Sequence, residues 1–347
     1  MTTYGNMTLA WFAAVTLYAF LAAGAPAQTT GPVHALAYDD QTRGPVPIPP
    51  SERGLQTVEA EPWYKVSRQG IVLEGAAFNR HGDLLFCDVS GRRVLRLPPD
   101  RRLSTVLTLN DVSPGGLAIH KDGRIFMAAM NLAKGTGSIL AAKPDGTDMQ
   151  TIVPVTAGYL PNDLVFDIQG GIYFSDFRGI STEPKGGAYY VSPDFKTIAP
   201  VLPHLAMANG IALSPDGMRL WVTEFARNLL HRVELAGPTT ITPIGSAIPY
   251  HFIGPAPDSM RVDRDGNVYV AIYSQGRLLA FNKNGIPIGQ ILLPGRDEGH
   301  NLLSTSLAIK PGTDDVYVVT SDGDGGQGAT IFHAKAFANA LRLYSHQ

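Results

Sequence analysis

The chain has 347 residues, a formal net charge of −2 and 44% hydrophobic residues. So even a balance, with no block of like charge, excludes the electrostatic footprint of a nucleic-acid binder, and no nucleic-acid partner is expected. The single cysteine, Cys87, excludes an intramolecular disulfide and a cysteine metal site, while 37 Gly and 26 Pro point to many short strands joined by tight turns.

The N-terminus reads as a targeting segment. Met7 to Ala23 is an uncharged, mostly apolar run, followed by G-A-P-A-Q with Ala25 and Ala27 placed as in an A-x-A cleavage site. Residues 1–27 are therefore expected to be a signal peptide cut after Ala27. The product would be exported, periplasmic or secreted, with no membrane attachment. Met1 to Asn6 carries no Lys or Arg, so a retained anchor is the competing reading. The run is slightly short for a span of about 20 residues. Residues 28–56 are polar and Pro-rich and read as an extended lead-in.

Residues 57–347 repeat one unit. Its phrases are E-G-A-A-F-N-R-H-G-D-L-L-F-C-D from Glu74, G-G-L-A-I-H-K-D-G-R-I-F-M-A from Gly115 and N-D-L-V-F-D-I-Q-G-G-I-Y-F-S-D from Asn162. They continue from Asn209, Asp258 and Thr305, at spacings of 41, 47, 47, 49 and 47 residues. Each unit holds an apolar strand, a turn rich in Asp and Gly, a β-branched or aromatic strand, a third strand such as Arg277–Phe281, and a weaker outer one. Six such units predict an all-β fold, a single six-bladed β-propeller with four-stranded blades, against the two domains that length alone suggests. The last repeat runs out after Thr330–His333. Thr57–Val66 is the spare segment expected to supply its outer strand and remove an open edge.

Equivalent positions of a radial repeat lie on one ring. Four of the six openings carry side-chain oxygens: Glu74, Asn162, Asn209 and Asp258. Any one alone is most simply a turn residue bonding its own backbone. Four at one register predict a hard-oxygen metal site, suited to Ca2+, which takes 6–8 oxygens, and not to zinc. Gly115 and Thr305 present little bulk and are expected to leave the approach open. Asp163 is a candidate outer partner of the site, and His300 a candidate for proton transfer. His251 is open to the same two readings as His300, a proton-transfer group or a hydrogen-bonded loop histidine, and Asp88, Asp176 and Glu224 read as loop-bonding residues. Tyr173, Phe174, Trp221 and Cys87 read as core. No G-x-S-x-G is present, which argues against a serine esterase. A cation with free positions suits ester or lactone carbonyls, with a bound water or Asp258 as the attacking group.

The phrases L-E-G, P-N-D-L-V-F-D, A-N-G-I-A-L-S-P-D-G and P-D-S-M-R-V-D resemble the senescence marker protein 30/gluconolactonase superfamily. Longer runs, among them G-G-I-Y-F-S-D-F-R-G-I-S-T and G-Q-I-L-L-P-G-R-D-E-G-H, are similar to its bacterial drug-responsive calcium-dependent lactonase branch, over about Trp63 to Phe332. The resemblance implies a six-bladed propeller with one catalytic Ca2+ held by Glu74, Asn162, Asn209 and Asp258, with Ser259 a secondary ligand. It implies an acid/base role for Asp258 and a small-molecule lactone or ester as substrate. Where that branch carries an acidic residue this chain has Asn162, as phosphatase-like members do. A phosphotriesterase-like or sugar-lactone hydrolase is therefore the alternative. A non-enzymatic binding propeller, tied by its ion, is a third reading. The branch also implies a second, structural Ca2+ near Lys134–Ser138 and Pro154–Tyr159, where Pro154 aligns with an acidic ligand. A monomer is expected.

Overall fold

The structure, a computed structural model, describes residues 35–38 and 42–347, so the expected signal peptide lies outside the described residues. The chain divides into Met1–Asp39 and Asp40–Gln347, and the second unit is the one described below.

Its innermost strands are Leu73–Phe78, Ser113–Ile119, Pro161–Phe166, Ala208–Leu213, Pro257–Val262 and Leu303–Ile309. Each begins a four-stranded antiparallel blade, numbered 1 to 6 here in that order, and each touches the innermost strands of the two neighbouring blades, so the ring is closed. The expected six-bladed propeller is the fold. The second strands Leu84–Asp88, Ile172–Asp176 and Val268–Ile272 are buried throughout, because a blade is covered on both faces by its neighbours. That is why they read as unbroken apolar runs rather than alternating ones. Six apolar clusters form the core, and each is shared by two adjacent blades. Each buried Leu, Ile or Phe in them contributes roughly 1.5–3 kcal/mol. Cys87, Tyr173, Phe174 and Trp221 all belong to this core.

Ring closure differs in part from the expectation. Glu61–Ser67 does pair antiparallel with Ala329–Lys335 of blade 6, with Glu61 opposite His333 and Lys65 opposite Thr330. Gln56–Glu59 instead pairs parallel with Pro287–Leu292 and adds a fifth strand to blade 5. The handover falls at Ala60, only 2% exposed, whose N–H bonds the Leu292 carbonyl at 2.8 Å. Its side chain packs between the blades with Ile291 and Phe332. The lead-in is likewise more than an extended tether: Pro50–Glu52 forms a 3-10 turn that buries Glu52. Beyond Lys335 the C-terminal segment is also fixed. Tyr344 packs on His120 and Phe166, with ring centroids 5.0 and 5.4 Å away.

Candidate metal centre at the channel mouth

Every innermost strand slips register at the same place. The irregularities fall between Glu74 and Ala77, Pro114 and Leu117, Pro161 and Leu164, Ala208 and Ile211, Pro257 and Met260, and Ser304 and Ser306. These are β-bulges, which bend a strand and re-aim its side chains. The six openings sit on them. Gly75, at φ 60°, shows why glycine follows Glu74: a Cβ there would lie 2.2 Å from the Gly115 carbonyl oxygen. A Cβ on Gly116 would lie 2.2 Å from Asp163 Oδ1.

Hydroxyls pin the bulges to one another. Ser175 accepts from the Asp163 N–H at 3.0 Å and donates to the Asn209 carbonyl. Thr223 accepts from the Gly210 N–H at 2.7 Å and donates to the Asp258 carbonyl at 2.9 Å. Thr305 donates to the Leu73 carbonyl at 2.5 Å. In blade 1 the corresponding slot holds Cys87, the cross-strand partner of Glu74; burial pushes its thiol far above the usual range, so it is unreactive.

Glu74, Asn162, Asn209, Asp258 and Ser259 are all buried. Burial, followed by the Asp163 carboxylate, pushes Glu74 up to about 8. Burial, followed by the Glu74 carboxylate, holds Asp258 well above the usual carboxylate range. Burial also raises Asp163, against the pull of Arg261. The three carboxyls thus act on one another in one low-dielectric space, and the guanidinium of Arg261, 3.3 Å from Asp163 Oδ2, is the cation that meets them. Asp258 Oδ1 and Asn209 Oδ1 are buried without a hydrogen-bond partner. Buried acceptors are seldom left so.

These features fit a hard divalent cation. Three ionised carboxylates and one guanidinium leave two negative charges, and the unpartnered atoms are oxygens. Among the described residues no three His, Cys, Asp or Glu side chains make a metal cluster by themselves, so the amides of Asn162 and Asn209 would have to complete the set.

The other expected residues sort as follows. Asp163 stands beside Asn162 on the same bulge, accepting from the Leu164 N–H at 2.8 Å. His300 is held by its Nδ1 at 3.2 Å from Asp322 Oδ2, and Asp322 also accepts the Asn301 and Gln327 N–H groups, which makes this a loop contact. Asp88, Asp176 and Glu224 accept the N–H groups of Gly91, Leu160 and Ala206. For Glu224 burial alone would raise the pKa, but His231 and Ala206 outweigh it and lower it. His251 is exposed at a strand end. Gly115 and Thr305, beside which the approach was expected to be open, are both buried. A Cβ on Gly115 would meet the Asn162 carbonyl oxygen at 2.9 Å and Met130 Cε at 3.0 Å, and Thr305 is 2% exposed.

Residues not singled out from the sequence complete the site. Met130 Sδ lies 3.8 Å from Asn162 Nδ2. Tyr273 is raised first by its burial and then by the charges of Asp258 and Glu74. Its ring continues into Phe225 and Phe177, at centroid distances of 5.9 and 5.7 Å. These three follow the ends of second strands, a register the sequence already displays.

The fold and this ring of carboxylates and amides define a class of axial-site propellers. The family described as SMP-30/Gluconolactonase/LRE-like region matches residues 73–321, and the chain belongs to it. The chain is 48% identical over 313 residues to "Lactonase drp35" of Staphylococcus saprophyticus, covering 89% of this chain and 97% of that protein. It is 44% identical over 316 residues to the protein of the same name from Staphylococcus aureus, strain USA300, covering 90% and 97%. A solved structure described as a calcium-binding protein, regucalcin, from Agrobacterium tumefaciens shares the fold, with TM-score 0.66 at 16% identity, covering 83% of this chain and 99% of that one.

Proposed function

We propose that the chain is a lactonase whose resident ion is a single Ca2+ held by Glu74, Asn162, Asn209 and Asp258, with Ser259 beside them. The observation that carries the site is the buried Glu74–Asp258 pair, which acts on itself unfavourably while Asp258 Oδ1 and Asn209 Oδ1 lack partners. Relatedness to lactonases along 97% of their length supports the reaction class. Bound there, Ca2+ supplies a Lewis acid for the carbonyl oxygen and the negative charge that gathers on it.

The chain's own residues do the rest. Asp258 either takes the proton of the attacking water and returns it to the alkoxide as the ring C–O bond breaks, or attacks the carbonyl carbon itself, the ring C–O bond breaking to leave a mixed anhydride that a water then hydrolyses, freeing Asp258 and supplying the proton of the alkoxide. The amide of Asn209 and the Ser259 N–H oppose the rise in the Asp258 pKa and hold the carboxyl in place. Tyr273, Phe225 and Phe177 form a half-buried apolar wall suited to the ring of a cyclic ester and to excluding water. The substrate is a small molecule. Export as a monomer remains part of this reading, on the Met7–Ala23 run and the Ala25/Ala27 site. No second ion is proposed: Gly137 N and Tyr159 O bring those two segments together at 2.9 Å, but neither carries a carboxylate. Asn162 favours one second reading, hydrolysis of phosphotriesters at the same ion.

The test is hydrolysis of aromatic and aliphatic lactones beside a phosphotriester, before and after chelation. Lactone opening that is lost with chelator and returns with Ca2+ is expected. Phosphotriester turnover alone establishes the second reading, and full lactone activity after thorough chelation removes the ion from the mechanism.

A further inference from the structure

One charged residue stands on an innermost strand below the ring. Arg261 lies three positions after Asp258, and its guanidinium reaches into the central channel. Its Nη1 donates to Asp163 Oδ2 at 3.3 Å and to the Met260 carbonyl at 2.6 Å, and its Nη2 donates to the Ala76 carbonyl at 3.0 Å. Those acceptors belong to blades 3, 5 and 1. Each stands one or two residues beyond a residue of the ring: Asp163 after Asn162, Met260 after Asp258, Ala76 after Glu74. Each lies on, or at the edge of, the bulge that aims that residue. The opposite side of Arg261 borders a cavity of about 330 Å3 at the other end of the channel. One rigid fork therefore ties together three alternate bulges that no backbone ladder connects.

We propose that Arg261 is the positioning residue of the metal ring, holding Glu74, Asn162 and Asp258 at one mutual spacing. The inference rests on the metal reading above. A planar guanidinium can satisfy three acceptors in fixed directions, which a point-like ammonium cannot. Outer partners that orient metal ligands commonly change metal affinity by about 10- to 100-fold when removed. Charge alone predicts the opposite sign: a cation next to a Ca2+ site repels the ion, and its removal should tighten binding.

The test is calorimetric Ca2+ titration of the full chain and of Arg261→Lys and Arg261→Met, with thermal melts in chelator and in Ca2+. Both variants are expected to bind Ca2+ at least about tenfold more weakly. Arg261→Lys keeps the charge and so carries the test if Arg261→Met does not fold. With Arg261→Lys, kcat at saturating Ca2+ and saturating lactone should return to within a few-fold of the parent, since no reacting group is removed. A role confined to folding would instead lower both melts equally and leave Ca2+ affinity unchanged. Unchanged or tighter binding in Arg261→Lys, beside a parent that binds Ca2+, overturns this inference alone. A parent that takes up no Ca2+ overturns the metal reading itself.

Discussion

Two of the places where this propeller buries acidic side chains are built differently. At the outer side of blade 5, Glu52 is 1% exposed and meets the guanidinium of Arg277. Tyr250 donates to Glu52 Oε1, and Arg277 also reaches Gln275 Oε1 and Gln290 Oε1, each at 3.0 Å. Charge meets charge one to one. At the axis, Glu74, Asp163 and Asp258 share one guanidinium, and Asp258 Oδ1 and Asn209 Oδ1 have no partner. The first arrangement closes on itself and fastens the N-terminal segment to the ring. The second is short of positive charge, and that deficit is what the proposed Ca2+ would make good.

The sharpest break of this contrast is Asp258→Asn. It lowers the charge of the ring and also removes the carboxyl assigned to proton or nucleophile work. The loss in kcat should be about 10^3-fold and should persist at saturating Ca2+. Glu74→Gln, which removes a ligand charge and no reacting group, should regain most of its rate with added Ca2+, and equal rescue of Asp258→Asn would make Asp258 a ligand only. Next in size is Arg277→Met, which strands Glu52. A broken buried pair of this kind costs about 3–5 kcal/mol, read in denaturant melts. Ca2+ affinity should not change; a parallel loss of affinity would show that the two acidic sites are one system.

The smallest effect is pH dependence. Glu74 has a folded value of about 8 against an ordinary 4.5, so between those values the folded chain holds a proton that the unfolded chain has released. Metal-free stability from this group is therefore highest below about 4.5, falls as pH rises toward 8, and is flat above it. Melts in chelator across pH 5 to 9 should show the fall; Glu74→Gln should remove that share of it and weaken Ca2+ about tenfold by deleting a ligand charge. A variant with the parent's slope would locate the proton elsewhere.

The ring residues were legible because the repeat puts them at one register: Glu74, Asn162, Asn209 and Asp258 could be aligned by their phrases alone. Arg261 stood in the same phrase, in P-D-S-M-R-V-D, as a charge within an apolar strand, a signal that was available and went unused. Glu52 gave no signal, since its partner Arg277 is 225 residues away.

What the sequence determined by itself was periodicity: six blades, their strand order, and which residue of each inner strand shares the register of the bulge. Those follow from local pattern, repeated. The tertiary structure alone decided how the spare N-terminal segment divides between blades 5 and 6 at Ala60, that Met130 fills the space beside Gly115, and that one guanidinium spans blades 1, 3 and 5. Each is a contact between residues far apart in the chain. Such contacts depend on where the closed ring brings backbones together, and no local pattern encodes that distance.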